Sequence, residues 1–379
     1  MGLSLKKFSA VLLAALTAAV TGLLMGGCGV RRPEPFQYTD TAMGTVVRQT
    51  LYAPDKKTAD SAADGVMQLL DRLEGQELSW RLEGSELYAV NAAAGSAGGY
   101  LMSTEMTGVI EECLRLGQES EGAFDVTLGA VVRLWDIDGW TAGGQAGDIS
   151  LPEGIPLPEG FSSPEGFSLP EPSLLRQALD KCGYEKLVLH PEALDENGEL
   201  LQARIFLPEG LQLDLGAVGK GVALDRLLDG LADSGISGAA ISVGGSVLTY
   251  GSKPDHTDWK VGILNPRDTS EYIGILSLKG QWCVSTSGDY ERYVEVDGVR
   301  YHHIMDPATG MPADSGVRSV TILSKDGLAG DALSTACFVL GAGKGMELAR
   351  RYGAEALFVT GEGEIVMTEG MESCFSPAG

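Results

Sequence analysis

The chain is short of basic residues: 28 Lys and Arg stand against 52 Asp and Glu, a net charge of −24 over 379 residues. Binding to nucleic acid draws on clustered cations, so this balance argues against that partner class. Cysteines number six, with no C-x-x-C pair. With Cys28 set aside, Cys113, Cys182, Cys283, Cys337 and Cys374 form an odd set whose spacing suggests neither a disulfide framework nor a zinc site. An exported protein could oxidise some of them, but most read as buried thiols, Cys113 and Cys337 on helix stripes in particular. Histidine is scarcer, at four. Beyond the first residues no stretch approaches membrane-spanning length. Two familiar catalytic frames are also missing. In the glycine-rich segment 214–221 the residue after Lys220 is Gly221, where a Walker loop needs Ser or Thr, and the glycine spacing is not G-x-G-x-x-G. The hydroxyl-rich segment 285–290 lacks the G-x-S-x-G frame of a serine hydrolase and reads as a ligand-contacting turn.

What the chain does have begins with an export signal. Lys6 and Lys7 supply a positive region and 11–20 an apolar one, and Leu24-Met25-Gly26-Gly27-Cys28 places small residues just before a cysteine. That is the pattern of a bacterial lipoprotein signal, in which the cysteine becomes the lipid-bearing N-terminus. The expected organisation is a signal peptide over 1–27, a tether over 28–35 and one large domain over 36–379. The expected location is extracytoplasmic, lipid-anchored to the outer face of a bacterial membrane.

Apolar residues at helical spacing predict helices over 60–73, 103–122, 173–182 and 220–234. Short β-like runs fall at 46–52, 212–215, 239–250, 259–264 and 317–323, with a hairpin over 356–368 turning at Gly361-Glu362-Gly363. Helices and strands mix without regular alternation, which predicts an α+β fold of mixed sheets flanked by helices. One region is foreign in composition. From Leu151 the chain repeats Pro-Glu-Gly or Pro-Glu-Pro every six residues, which prevents helix or interior strand and predicts an exposed insertion around 141–172.

The chemistry-bearing residues fall in three places. Leu333, Ala336, Cys337 and Leu340 form an apolar helical stripe, so Asp331 and Thr335 point together away from it, two hard oxygen donors one turn apart. The 214–221 segment follows a short strand and opens a helix; its glycines would let backbone approach a ligand, and Lys220 at a helix N-terminus favours an anion. His302 and His303 precede Asp306-Pro307, and of two adjacent side chains in an extended segment at most one faces a given site.

Taken in order, these and further blocks resemble the ApbE family, the bacterial FAD:protein FMN transferases. The blocks are Ala42-Met43-Gly44-Thr45, Leu78-Ser79-Trp80, Gly122-Ala123-Phe124-Asp125-Val126-Thr127, the 214–221 segment, Val243-Gly244-Gly245-Ser246, the 285–290 segment, His303-Ile304-Met305-Asp306-Pro307-x-Thr309-Gly310 and Asp331-Ala332-Leu333-x-Thr335. They span roughly 36–345. The resemblance implies FAD as substrate, bound at Met43, Trp80, Ala123, Phe124, Asp125, Asp214, Lys220 and Met305. It implies Mg²⁺, with Ca²⁺ as the alternative, held by a main-chain oxygen of Ala217 and by Asp331 and Thr335. It ties activity to His303. Where the family commonly has G-G-D, this chain has Gly244-Gly245-Ser246, which removes a carboxylate.

The implied reaction moves FMN from FAD to a threonine hydroxyl of an acceptor redox protein and releases AMP. The implied acceptors carry FMN-binding domains, such as subunits of membrane redox complexes. His303 is the better candidate base, because an unperturbed imidazole titrates near neutrality; Asp306 is the alternative. With water as nucleophile the same site would be a metal-dependent FAD pyrophosphatase. A non-catalytic flavin-binding lipoprotein would not need Asp331, Thr335 and His303.

Overall fold

β1 (Phe36–Ala42) and β2 (Thr45–Tyr52) pair as an antiparallel hairpin turned by two residues, Met43 at φ 52° and Gly44 at φ 67°. A left-handed backbone at both positions suits the right-handed twist of the strands. Glycine adopts it freely; Met43 holds it at a cost, as residues at ligand sites often do. The computed structural model describes residues 34–143, 167–296 and 298–378. The expected signal peptide over 1–27, Cys28 and the expected tether up to residue 33 lie outside the described residues, as does 144–166 of the expected insertion.

The helical stripes read from sequence become packed faces. α1 (Lys56–Arg72) starts where Asp55 accepts the Thr58 N–H at 2.8 Å, and it turns Val66 and Leu70 inward. It runs into a π-turn over Leu73–Leu78, a distortion common at functional sites, which delivers Trp80. α2 (Glu86–Ala92) and β3 (Tyr100–Leu101) lead to α3 (Thr104–Glu119), capped by Ser103 and burying Met106, Val109, Ile110 and Cys113. α4 (Gly129–Trp135) and α5 (Ile137–Gly143) precede the insertion, and α6 (Pro172–Leu179) follows it. β4 (Val188–Leu194) and β5 (Leu200–Phe206) form a small sheet with β3. Next come α7 (Gly219–Ala232), β6 (Gly238–Val243), β7 (Ser246–Gly251), β8 (Trp259–Asn265), β9 (Asp268–Leu278) and β10 (Trp282–Gly288). The hairpin β11 (Tyr293–Val296) and β12 (Val299–His302) precedes β13 (Val317–Ser324) and the long helix α8 (Gly327–Arg351), which breaks at Gly341 with φ 76°. β14 (Glu355–Thr360), β15 (Ile365–Met367), α9 (Glu369–Cys374) and β16 (Phe375–Pro377) close the chain.

The main sheet runs β1-β2-β6-β7-β10-β13-β14-β15, antiparallel at every step, so the fold is α+β and not doubly wound. Alternation along its strands serves two cores. Cys283, Val320, Ile322 and Phe358 face one side with α1, α3, α7 and α8, whereas Val284, Leu323, Leu357 and Val359 face the sheet β16-β9-β8 on the other. The five described cysteines are free thiols, four of them buried. Among the described residues no helix is long and apolar enough to cross a membrane.

Three expectations change. The run 212–215 forms only an isolated parallel bridge from Gln212 to Leu128, because the chain there is already turning toward α7. The run 239–250 splits into β6 and β7 at Gly244-Gly245. The expected turn at 285–290 is mostly strand: β10 extends to Gly288, and only the last two residues turn. Its alternating hydroxyls explain the misreading. Thr286 pairs across the sheet with Thr321, Oγ1 to Oγ1 at 2.9 Å, while Ser285 and Ser287 face α8.

Trp140 on α5 and Phe167 beyond the insertion meet edge to face, with ring centroids 5.5 Å apart. The described residues on either side of 144–166 thus meet, and changing the length of chain between two ends held together alters closure entropy only slowly. Deleting 145–164, which keeps Phe167, is expected to leave melting temperature and catalytic rate near wild type. A collapse of either shows that the insert packs on the domain.

Candidate active site

The first turns of α7 and α8 meet with almost nothing between them. A Cβ on Gly221 would overlap the Gly327 carbonyl oxygen, and a Cβ on Gly327 would overlap that of Gly221. Gly221 therefore admits a helix, not the ligand its sequence context suggested. Asp225 fastens the contact by accepting the Gly327 N–H at 2.7 Å and the Leu328 N–H at 2.9 Å; burial pushes its carboxyl up to about 6. Gly221→Ala must push the helices apart, and overpacking of this kind costs roughly 1–3 kcal/mol. The urea midpoint is expected to fall accordingly; an unchanged midpoint contradicts the packing argument.

This close approach carries Asp331 into the interior. The stripe on α8 predicted a solvent-facing Asp331, but the residue is 4% exposed. Its Oδ2 accepts the Gly221 N–H at 2.6 Å and its Oδ1 accepts the Ser246 hydroxyl at 2.8 Å. The surface reading fails because α8 packs against both α7 and the sheet, so its polar side is covered as well as its apolar one. Ser246 stands where the resemblance expects a carboxylate, and it donates to its neighbour instead.

One turn along, Thr335 is part-exposed with Oγ1 3.4 Å from Ser287 Oγ, which is 2.7 Å from Ser334 Oγ. The Ser334 hydroxyl also donates to the Asp331 carbonyl at 2.8 Å. Ser285 Oγ, fully buried, has no hydrogen-bond partner and lies beside Gly330. Ala217 occupies the turn before α7, part-exposed. The donors are all oxygens, and only one carries a formal charge. Among the described residues no three His, Cys, Asp or Glu side chains converge. Such a set fits a hard cation that keeps waters and takes substrate phosphate oxygens, as Mg²⁺ does. Each Asp331 oxygen retains a lone pair beyond the hydrogen bond it accepts.

The β11–β12 hairpin builds the second half of the site. Tyr293 pairs with His302, and one step further the His303 N–H donates to the Arg292 carbonyl at 3.1 Å. His303 Nδ1 lies 3.2 Å from the same oxygen. With its proton on Nδ1, donated there, the ring keeps its lone pair on Nε2. Burial, then the nearby Arg292, His302 and Lys220, hold the imidazole well below its ordinary range, so it is neutral at physiological pH. His302 differs. It is buried, its Nδ1 accepts the Ile304 N–H at 3.3 Å, its Nε2 faces the Ala313 carbonyl at 3.1 Å, and its ring stands edge-on to Phe338. Asp306 spends both carboxylate oxygens on its own turn, accepting the Ala308 N–H at 2.9 Å and the Thr309 hydroxyl at 3.0 Å.

Arginines that sequence reading did not single out surround this half. Arg292 Nη1 donates to Asp138 Oδ1 at 2.6 Å and Arg81 Nη2 to Asp138 Oδ2 at 3.1 Å. The Arg81 and Arg133 guanidiniums lie 4.0 and 4.7 Å from the centroid of the Trp80 ring. Arg133 Nη2 is buried without a partner. Asp214 accepts the Gly216 N–H at 2.8 Å; burial raises its carboxyl, against the opposing pull of Arg81 and Arg292. No sequence signal marked these three arginines, because the contacts of Arg81 and Arg292 with Asp138 join segments 57 and 154 residues apart.

Of the other expected FAD contacts, Met43 donates its N–H to Glu74 Oε2 at 2.9 Å and extends its methyl toward Gly219. The Lys220 charge acts on His303, Arg292 acts on both His303 and Asp214, and Trp80 lies under the Arg81 guanidinium that also acts on Asp214. Asp125 accepts from the Thr127 and Tyr184 N–H groups at 2.7 and 3.1 Å, shaping the link from α3 to α4. Ala123, Phe124 and Met305 have buried side chains, Phe124 within the main core.

A family model described as the ApbE family matches residues 43–358. The chain belongs to the ApbE family. As an ApbE member it is an enzyme, and its relatives agree over most of their length. An FAD:protein FMN transferase of Treponema pallidum is 33% identical over 350 residues, covering 88% of this chain and 87% of that one. The crystal structure of the ApbE protein of Thermotoga maritima superposes with a TM-score of 0.72 at 29% identity, covering 90% of this chain and 99% of that one. The flavinyl transferase ApbE of Pseudomonas stutzeri gives 0.69 at 28% identity, covering 92% and 99%.

Proposed function

We propose that this enzyme transfers FMN from FAD to a threonine hydroxyl of an acceptor redox protein and releases AMP, with Mg²⁺ bound. One observation carries the reading. Consecutive residues of one turn serve both halves of the site: the Lys220 charge reaches His303, and the Gly221 N–H holds Asp331. Met43, Trp80 and Asp214, with the N-terminus of α7, would hold the dinucleotide across that turn. His303 Nε2 would take the proton of the threonine hydroxyl as its oxygen bonds to the FMN-side phosphorus. The bond from that phosphorus to the bridging oxygen breaks, and the electron pair leaves with AMP. A divalent cation at Asp331, Thr335 and the Ala217 carbonyl would neutralise the diphosphate and stabilise the leaving oxygen. Asp306, committed to its turn, shapes the His303 loop in this scheme.

AMP release separates transfer from FAD hydrolysis. Enzyme with FAD and Mg²⁺ is expected to release AMP only when an FMN-binding acceptor domain is added, and in proportion to it. Release independent of acceptor supports the pyrophosphatase reading instead.

We further propose that the enzyme works outside the cytoplasm, held on the outer face of a bacterial membrane by lipid on Cys28, where FMN-binding subunits of membrane redox complexes would be its acceptors. The support is the sequence Gly26-Gly27-Cys28 after an apolar run. Two acyl chains anchor a protein more firmly than one. Cells fed a labelled fatty acid are expected to label the wild type and not Cys28→Ser; an unlabelled wild type removes the anchor and leaves the flavin chemistry standing.

A further inference from the structure

Asp138 belongs to no block of the family pattern, yet its two oxygens hold two different parts of the site. Oδ1 accepts Arg292 Nη1 at 2.6 Å and Oδ2 accepts Arg81 Nη2 at 3.1 Å, partners 154 and 57 residues away along the chain. Arg292 lies just outside the paired strands β11 and β12, at the open end of the hairpin. Its carbonyl receives both the backbone N–H and Nδ1 of His303. A shift of that carbonyl would therefore act on both the backbone and the ring of His303. We propose that Asp138 is a positioning residue for His303, acting through Arg292. The inference rests on the reading of His303 as proton acceptor.

Two physical consequences follow from the arrangement. Asp138 clamps the Arg292 side chain at its far end while the hairpin holds its backbone, so the carbonyl that orients the ring is fixed from both sides. Asp138 also offsets the Arg292 charge. The charges of Arg292, His302 and Lys220 disfavour an imidazolium at His303, while the hydrogen bond to the Arg292 carbonyl favours it. With Asp138 neutral, Arg292 would act on the ring unopposed. A purely structural role predicts little, because both ion pairs are part-exposed and pairs of that kind contribute little to stability.

The test uses the full chain with FAD, Mg²⁺ and an acceptor domain, comparing Asp138→Asn, Arg292→Gln, the double variant and His303→Gln. Asp138→Asn is expected to lower kcat by about tenfold or more, since small misplacements of a catalytic group are costly. Its melting temperature should hold, and the acid limb of its kcat profile should move to lower pH. The double variant is expected to be no slower than the slower single variant, as for residues that act as a unit. Wild-type kcat and an unmoved pH profile in Asp138→Asn, with His303→Gln inactive, would overturn this inference alone. Activity in His303→Gln would overturn the reading beneath it. If Asp138→Asn melts lower, the cycle decides: losses that add in the double variant contradict the proposal.

Discussion

Replacing His303 by Gln is expected to cut kcat for flavin transfer by about 10²–10⁴-fold, the usual worth of a positioned general base. The fold should survive, because a Gln side-chain amide can still donate to the Arg292 carbonyl that now faces Nδ1 at 3.2 Å. The wild-type pH dependence carries a second expectation. Burial and neighbouring cations keep the ring neutral well below its ordinary 6.5, so activity should not fall as pH drops through that value; the acid limb should lie lower. Stability follows the same linkage. Below about pH 6.5 the unfolded chain takes up a proton on this histidine that the folded chain refuses, so its contribution is full above that pH and declines beneath it. Transfer by His303→Gln at near the wild-type rate, or a wild-type acid limb centred on 6.5, would show that another group takes the proton.

Asp331→Ala is expected to abolish transfer at ordinary Mg²⁺ and also to destabilise the protein. Truncation leaves the Gly221 N–H and the Ser246 hydroxyl without their acceptor in a buried place. The cost of stranding buried donors is about 1–3 kcal/mol, where an exposed-face truncation would stay within about 0.5 kcal/mol. Asp331→Asn separates the two effects, since its amide oxygen can still accept one of these hydrogen bonds while the charge is gone. That variant should fold better than the Ala variant and still fail to transfer. Wild-type transfer by Asp331→Asn, or by the wild type in excess EDTA, contradicts the metal site. Full stability of Asp331→Ala contradicts the buried-cap geometry.

The contrast between Asp331 and its neighbours shows what was legible in the sequence. Helical periodicity located α3, α7 and α8 because each buries a stripe that repeats along one face. It could not show that the opposite face of α8 is covered too, since that cover comes from Gly221 and Ser246, far away in sequence. β10 was missed for a related reason. Its Ser285, Thr286 and Ser287 have turn-like composition, yet each side faces a partner, Thr321 on one and α8 on the other. Of the two histidines, alternation alone said that at most one faces the site. Hydrogen bonds decide between them: His302 uses both ring nitrogens inside the fold, and His303 keeps Nε2. The cluster of Arg81, Arg133, Asp138 and Arg292 lay beyond sequence reading, because its contacts join segments with no shared pattern.

Intact-mass spectrometry of an acceptor domain after incubation with this enzyme, FAD and Mg²⁺ tests the central claim most directly. The account predicts that the acceptor gains the mass of one FMN less one water, that fragmentation places it on a threonine, and that replacing that threonine or omitting Mg²⁺ abolishes the gain. An acceptor of unchanged mass, in a mixture where FAD has nonetheless become free FMN and AMP, would contradict it.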